Sequence, residues 1–366
     1  MHFNKAIQTG AFVVAALFAG VIAAVCVILW QQPKPIDFLS FWAAAKMLLG
    51  GHSAAIYDIA AHRAVEQSVT PVGTLPFPYP PPFALIAAPF ALLPFGAAFA
   101  AWLLVTGGVY LTAARRWMPG RLAVAQPAVL INGFVGQSAF LTSALFLGGL
   151  KVLGSRPLLG GALLGALIIK PQLGLMLPFA MLAGRQGRAI GGAIASAAVL
   201  LTIGWIALGP DSYRSFFGLL STFGGFLAGG RWPWHELASI YAFLRYFGVT
   251  APVALAAHAA VAIAAAVLVW RAWWSAREAK EAMLAAATLL GPPYLLSYDA
   301  VLLALPVAWL LTRRPALGLA VWTLSLIPVG AILGLYEFPN TIPLAALLAV
   351  VAIYRMGEAT EAVTAR

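Results

Sequence analysis

A carboxylate in a chain with few charges is the first candidate for chemistry. Asp37 stands in the run Pro33-Lys-Pro-Ile-Asp-Phe-Leu-Ser-Phe-Trp42, just beyond the first long apolar stretch, and charged residues make up only 9% of the chain. Such a carboxylate is a candidate general base, because it can accept a proton from a reacting hydroxyl. Asp37 is also suited to cap a helix that ends at the pair Gly50-Gly51. The two roles are compatible, and both stay open at this point.

A set of polar residues falls at the ends of apolar stretches, on the same side of the membrane as Asp37 in the topology described below. Acids, cations and hydrogen-bonding groups above an apolar groove are suited to bind a lipid with a charged head group. The candidates for substrate binding are Asp58, Tyr79, Gln137, Lys170, Arg231, His235, Tyr298 and Asp299.

Most of these candidates also have a structural interpretation. Asp58 is typical of the end of a surface helix, and Tyr298-Asp299 can cap the helix that follows. The prolines after Tyr79 favour an extended entry into a span, and Gln137 can satisfy free backbone groups where two short helices meet. His235 and its neighbour Glu236 are more typical of a membrane interface than of a catalytic pair.

For Lys170, a binding role is favoured over a structural one. The lysine stands alone between the apolar runs 161–169 and 172–183, and Pro171 after it predicts a helix break. A lone cation in that place is costly without an anionic partner. The alternative is that the side chain snorkels to the membrane surface.

The composition determines the class of protein. Hydrophobic residues make up 62% of the chain, and its mean hydropathy is +0.92. That is too much apolar surface for one water-soluble core, so we expect an all-α polytopic membrane protein. The single cysteine, Cys26, lies in the first apolar run and excludes both a disulfide framework and a Cys-based metal site.

Several of the apolar stretches are shorter than the ~20 residues that a perpendicular helix needs to cross a bilayer. Short stretches can pair as half-helices or merge, so we expect about nine to twelve spans in a single integral membrane domain, 1–366. The stretches are 9–30, 83–113, 122–135, 138–150, 157–169, 172–184, 189–208, 251–270, 282–297, 300–312, 315–335 and 341–354.

The distribution of basic residues predicts the orientation. The net charge is +11, and the Lys and Arg residues cluster in pairs between the apolar runs. Alternating spans from a cytoplasmic N-terminus place most of these residues in the cytoplasm, as the positive-inside rule requires. We therefore expect a protein of the bacterial cytoplasmic membrane with both termini in the cytoplasm.

Two longer segments lie on the outer side in this topology. Residues 31–82 predict one or two amphipathic helices on the outer surface. Residues 209–250 contain Gly224-Gly225 and Gly229-Gly230, which are typical of a hinge, followed by aromatic residues typical of interface anchoring. A loop that orders over a bound ligand is the alternative for this second segment. The small residues at Gly161, Gly165, Gly191 and Ala195 predict close helix packing.

Familiar catalytic motifs are absent from the sequence. There is no Walker P-loop, no HExxH and no paired CxxC, and no strand-turn-helix context supports a dinucleotide site. A cytosolic nucleotide-sugar would normally need a soluble domain, which the sequence does not predict. The substrates of an enzyme of this kind would arrive through the membrane or from the outer compartment.

The ordered motifs resemble glycosyltransferase family 87. They are Asp37-Phe-Leu-Ser-Phe-Trp with Ile56-Tyr-Asp58, Phe77-Pro-Tyr-Pro-Pro-Pro-Phe, Gly136-Gln-Ser, Gly161 to Pro171, and Gly291-Pro-Pro-Tyr-Leu-Leu-Ser-Tyr-Asp299. The resemblance extends over about residues 12–355. It implies a membrane-embedded enzyme of the GT-C type that uses a polyprenyl-phosphate sugar, with mannose as the best-known sugar.

The resemblance also implies roles for the candidate residues. Asp37 would be the general base in an inverting displacement, acting on an acceptor that is a glycolipid or another glycan. Lys170 would stabilise the leaving phosphate, with Arg231 and His235 as weaker candidates. Gln137, Tyr79 and Tyr298 would orient the sugar or phosphate. No paired-acid motif with reliable ligand spacing appears in the sequence, so we expect no metal and no cofactor beyond the lipid-linked donor, although Asp37 and Asp58 together could hold a divalent ion.

Two other classes of protein fit the same pattern. A transporter or lipid flippase also has a polar site among broken helices, but usually near the middle of the bilayer and between related halves. A non-catalytic membrane subunit of a polysaccharide assembly is the third class. Nucleic acid is not an expected partner, because the basic residues are distributed as membrane orientation requires.

Overall fold

The protein is a bundle of α-helices linked by short 3₁₀ segments. The computed structural model describes residues 3–71, 73, 75–230 and 232–364. Within these ranges there is no β-strand, and one isolated backbone pairing joins Leu237 to Leu296. The predicted all-α class is confirmed.

We number the α-helices in chain order. They are α1 (Lys5–Gln31), α2 (Phe38–Leu49), α3 (Ile59–Gln67), α4 (Pro82–Ala87), α5 (Phe95–Ala114), α6 (Gly120–Val124), α7 (Pro127–Val135), α8 (Ala139–Val152), α9 (Pro157–Gly165), α10 (Leu177–Ala183), α11 (Gly187–Leu208), α12 (Pro210–Ala228), α13 (Ile240–Tyr246), α14 (Ala251–Trp274), α15 (Lys280–Thr288), α16 (Ala304–Arg313), α17 (Pro315–Ile332) and α18 (Ile342–Thr364). The 3₁₀ segments are Ser53–Ala55, Phe90–Leu92, Ala166–Ile169, Pro171–Gly174, Trp234–Glu236 and Ser297–Leu303.

Five of the described helices are long and apolar enough to cross a membrane. They are α1, α5, α11, α14 and α17. Each has the ~18–20 apolar residues that a span requires, and each leaves large apolar side chains on the surface of the bundle. These helices support the prediction of a polytopic membrane protein.

Proline breaks several of the predicted spans into shorter pieces. The stretch 83–113 is not one helix, because Pro89 and Pro94 separate α4, a 3₁₀ turn and α5. The stretch that contains Lys170 is also broken, as its sequence predicts: two 3₁₀ segments flank the lysine, whose backbone leaves the helical region at φ −146° and ψ 72°. Breaks of this kind allow polar side chains to project into the bundle interior.

The segment 31–82 differs in part from the prediction. Helix α3 carries mostly exposed residues, as expected of a surface helix. Helix α2 is instead buried almost throughout, because Phe38, Phe41 and Trp42 pack into the aromatic core against residues such as Phe95 and Trp102. A helix that is apolar on every face belongs in the interior rather than on the surface.

The segment 209–250 also differs from the predicted hinge. Helix α12 begins after Gly209, which has a φ of +80°, and continues through Gly224-Gly225 as regular helix. The turn lies further on, at Gly230, whose φ of +69° favours glycine. The first part of this segment is therefore one long helix, α12, which lies next to the site described below, and a 3₁₀ segment and α13 follow the turn.

Helices α9 and α11 approach each other through small residues. A Cβ atom added to Gly161 would lie 1.9 Å from the carbonyl oxygen of Ala189, and one added to Gly165 would lie 2.2 Å from that of Ala193. Gly192 contacts α9 in the same way, with Leu158. Gly191, which the sequence analysis singled out, faces open space instead.

We predict that Gly161→Ala destabilises the fold by about 1–3 kcal/mol, because a backbone carbonyl occupies the space of the added methyl group. Gly191→Ala is the matched control, since it adds the same methyl group in open space and favours the helix by up to about 1 kcal/mol. The measurement is thermal unfolding of both purified variants in the same detergent. Equal stability of the two variants would contradict the packing described here.

Candidate active site

A cavity of about 610 Å³ opens beside the start of α2. The described chain lines it from widely separated segments, so the cavity depends on the tertiary fold. Its polar side is formed by Asp37, Ser40, Tyr79, Gln137, Lys170, Gln172, Glu236, Tyr294 and Tyr298. Its apolar side includes Leu75, Pro76, Phe216, Leu220, Phe223 and Trp232. We call this space the central cavity.

Asp37 is held in the central cavity by a chain of side-chain hydrogen bonds. The Gln137 Nε2 donates to Asp37 Oδ2 at 2.9 Å, and the Tyr79 hydroxyl donates to Gln137 Oε1 at 2.7 Å. The Tyr79 hydroxyl also lies 2.8 Å from Ser138 Oγ. One face of the Asp37 carboxylate is thus fixed in orientation, and its other oxygen can receive a further hydrogen bond.

Gly136 brings Gln137 to this position. It ends α7 with a φ of +71°, and a Cβ there would lie 2.7 Å from both Phe38 Cβ and a ring carbon of Phe99. Glycine is required because the turn approaches the start of α2 so closely. The amide of Gln137 can then reach the carboxylate that precedes Phe38.

The predicted capping bond of Asp37 is wrong. Asp37 occupies the N-cap position of α2, but it has helical backbone angles and its side chain makes no capping bond. The hydrogen bond from Gln137 replaces that bond. Burial raises the pKa of Asp37, although the hydrogen bond from Gln137 and the positive charge of Lys170 act in the opposite direction. A raised pKa makes the carboxylate a better proton acceptor.

Lys170 and Asp299 form a buried ion pair. Lys170 Nζ lies 2.5 Å from Asp299 Oδ1, and the two side chains are 4% and 1% exposed. The ammonium group also lies 4.5 Å from the centre of the Tyr298 ring and 5.9 Å from that of Tyr79. The anionic partner that the sequence analysis required is therefore within the protein. Lys170 and Tyr298 still line the cavity, whereas Asp299 lies behind them.

The structure places the remaining predicted residues differently. Asp58 begins α3 rather than ending a helix, accepts a hydrogen bond from the Ala61 N–H at 2.8 Å, and does not line the cavity. His235 also lies outside the lining, and its backbone oxygen accepts a hydrogen bond from Asn340. Arg231 lies outside the described residues. Since Asp58 is not in the cavity, the structure does not bring Asp37 and Asp58 together as a cation site.

Glu236 is a second acid in the central cavity, and the sequence analysis did not select it. Burial raises the pKa of Glu236 and the negative charge of Asp37 adds to this effect, although His235 and the side chain of Trp232 act in the opposite direction. Trp232 and Tyr294 line the same part of the cavity, with ring centres 5.5 Å apart and planes nearly perpendicular. In the sequence, Glu236 could have been found only as an acid within an aromatic stretch, and that pattern is also typical of a membrane interface.

A buried glutamate on α3 anchors the cavity wall. Both oxygens of Glu66 accept the backbone N–H of Leu75, at 3.2 and 3.1 Å, and Leu75 and Pro76 line the cavity. Burial raises the pKa of Glu66 to about 7, although the Leu75 N–H and Arg63 act against this. Burial also lowers the pKa of neighbouring His62 to about 4, so the imidazole stays neutral near pH 7.

A comparison with protein families assigns the chain to a family. The model of glycosyltransferase family 87 matches residues 77–297, more than half of the chain. No curated protein and no solved structure matches the sequence. The matched region contains Tyr79, Gln137, Lys170 and Glu236, whereas Asp37 precedes it. The resemblance drawn from the sequence motifs is confirmed.

We predict that Asp299→Asn lowers the free energy of unfolding by about 3–5 kcal/mol, because the Lys170 ammonium loses its charged partner in a buried place. The double variant Lys170→Met with Asp299→Asn should recover most of that loss. Asp211→Asn is the matched control, since its ion pair with Arg214 is exposed and contributes less than about 1 kcal/mol. Denaturation of the purified variants measures the difference, and additive losses in the double variant would contradict the pairing.

We predict that the stability of the protein falls as the pH rises through about 7. The pKa of Glu66 is higher in the folded protein than in the unfolded chain, so its contribution is present at low pH and is lost on ionisation. Glu66→Gln should remove this part of the pH dependence, and Glu337→Gln, at an exposed position, should retain it. Thermal unfolding between about pH 5 and pH 8 measures the effect. Parallel profiles for wild type and Glu66→Gln would contradict it.

Proposed function

The chain belongs to glycosyltransferase family 87 and is a membrane glycosyltransferase, and from this premise we propose that it transfers a hexose, with mannose as the first candidate, from a polyprenyl phosphate. The acceptor is a hydroxyl of a glycolipid or another glycan on the outer face of the cytoplasmic membrane. The observation that carries the proposal is the central cavity, in which an oriented carboxylate and a buried ammonium group face the same space.

The two sides of the cavity support a lipid-linked donor. Phe216, Leu220 and Phe223 of α12 form an apolar wall next to the polar groups. A substrate that matches both sides carries a polar head and an apolar chain, as a polyprenyl-phosphate sugar does. The five long apolar helices are typical of a membrane protein, and a polyprenyl chain would reach the cavity from the bilayer.

Asp37 acts as the general base in the proposed reaction. The acceptor hydroxyl gives its proton to the free oxygen of the carboxylate while its own oxygen forms a bond to the anomeric carbon of the sugar. Gln137 and Tyr79 hold the carboxylate so that this oxygen stays available. A single attack of this kind inverts the configuration at the anomeric carbon.

Lys170 stabilises the leaving group. As the bond between the anomeric carbon and the phosphate oxygen breaks, its electron pair stays on the lipid phosphate, and negative charge develops there. The ammonium group has three N–H donors and uses one of them on Asp299, so further donors can reach the phosphate. Because Lys170 supplies this positive charge, no metal ion or other cofactor enters the proposed step.

Tyr298 lies beside Lys170 on the polar side of the central cavity. Its ring lies against the Lys170 ammonium, and its buried position beside the ion pair suits it to orient the phosphate or the sugar. Asp299 acts through Lys170 as a positioning residue, because it holds the ammonium group without lining the cavity. Asp58 and His235 take no part in the proposed step.

We predict that Asp37→Asn lowers the rate of transfer by at least about 100-fold, because asparagine keeps the shape of the side chain but cannot accept the proton. Asp58→Asn is the matched control: asparagine caps a helix as well as aspartate does, so transfer should stay near the wild-type rate. The assay uses purified protein in lipid with radiolabelled polyprenyl-phosphate mannose and a membrane extract as acceptor.

Two results would contradict the proposed function. A full transfer rate in Asp37→Asn would remove the proposed base. Movement of the labelled lipid across the membrane by the wild type, without transfer from any polyprenyl-phosphate sugar, would identify a flippase or transporter instead.

A further inference from the structure

Glu236 is a cavity carboxylate that the proposed reaction leaves unused. Its side chain lines the central cavity with Asp37, Lys170 and Gln137. Among the described residues Glu236 forms no ion pair, and its carboxylate interacts with the neighbouring His235 and with the side chain of Trp232. A carboxylate has about four acceptor positions, so Glu236 can accept further hydrogen bonds from a ligand.

Several hydrogen bonds hold the backbone around Glu236. The Ala238 N–H donates to the Leu295 oxygen at 2.7 Å. The buried amide of Asn340 donates to the Ser297 hydroxyl at 2.7 Å and contacts the backbone oxygens of His235 and Glu236 at 3.3 and 3.4 Å. These bonds hold Glu236 in register with the segment that carries Tyr298. A carboxylate carried on a backbone that is held in this way is suited to recognise a ligand of fixed geometry.

Aromatic rings surround the same part of the cavity. Trp232 and Tyr294 line it together with Glu236 and pack edge to face. Pyranose rings present hydroxyl groups along their edges and apolar C–H groups on their faces. A carboxylate beside aromatic rings therefore matches the surface of a sugar more closely than that of a phosphate or a lipid chain.

Charge determines which part of the donor faces Glu236. The donor's phosphate is an anion, so a second carboxylate near it would repel it. The only described cation that lines the cavity is Lys170, which is therefore the place for the phosphate. The carboxylate of Glu236 is therefore assigned to the sugar.

We propose that Glu236 is the residue that selects the sugar, with its carboxylate accepting hydrogen bonds from two neighbouring sugar hydroxyls and Trp232 packing on the sugar's apolar face. This inference rests on the proposed function and names the sugar subsite within it. Asn340 is a positioning residue for Glu236. Epimers differ in the direction of one hydroxyl, so a rigid carboxylate distinguishes them through one lost or misdirected hydrogen bond.

The test compares Glu236→Gln with the wild type on two donors, polyprenyl-phosphate mannose and its glucose epimer. We expect the KM for the preferred donor to rise by about 10- to 100-fold, since charge-assisted hydrogen bonds to the sugar are lost. The kcat should change less, and the preference between the two donors should fall. Glu337→Gln is the matched control, and it should leave KM and preference unchanged.

A second variant separates an effect on sugar binding from a folding defect in Glu236→Gln. Glu236→Asp keeps the charge but shortens the reach by one methylene group, and we expect an intermediate KM and an intermediate preference. Thermal unfolding of each variant is compared with that of the wild type.

The outcomes are distinguishable. Unchanged KM and unchanged sugar preference in both Glu236 variants, with normal transfer by the wild type, would overturn the sugar subsite and leave the proposed function standing. Transfer by the wild type from neither donor, nor from any other polyprenyl-phosphate sugar, would overturn the proposed function and the subsite with it.

Discussion

The buried ion pair between Lys170 and Asp299 is the constraint on which the rest of the site depends. An ammonium group that is almost fully buried among apolar helices is tolerated only when a carboxylate balances its positive charge. The two residues are 129 positions apart, and each lies in or beside a 3₁₀ break rather than in a continuous helix. The pair therefore joins two breaks in the bundle, and the joined breaks form the floor of the central cavity.

The other polar contacts extend from this floor. The rings of Tyr79 and Tyr298 lie near the Lys170 ammonium, and the Tyr79 hydroxyl continues through Gln137 to Asp37. The proposed base, Asp37, and the Lys170 ammonium are thus parts of one connected network, although they are 133 positions apart in the sequence. This connection keeps two charged groups at fixed places in one cavity, which a displacement at a sugar phosphate requires.

Much of this arrangement could be predicted from the sequence. The contacts that were predicted wrongly, or not predicted, have physical reasons. Composition identified an all-α membrane protein, and Lys170-Pro171 indicated the break in the helix. Neither prediction requires knowledge of which distant residues become neighbours in the folded protein. The partner of Lys170 was not predictable, since Asp299 becomes its neighbour only through tertiary packing. The capping bond of Asp37 was predicted from residue type alone, and a longer-range hydrogen bond from Gln137 replaced it. Glu236 was interpreted as an interfacial residue, because acids among aromatic residues are also common at membrane surfaces.

The most direct test of the account is an experimental structure of the Asp37→Asn variant with a non-cleavable polyprenyl-phosphonate mannose bound. We expect a phosphonate oxygen within about 3 Å of Lys170 Nζ. We also expect the anomeric carbon to face position 37 and the sugar hydroxyls to face Glu236. A donor analogue bound outside the central cavity, or bound inside it with the phosphonate away from Lys170, would contradict the account.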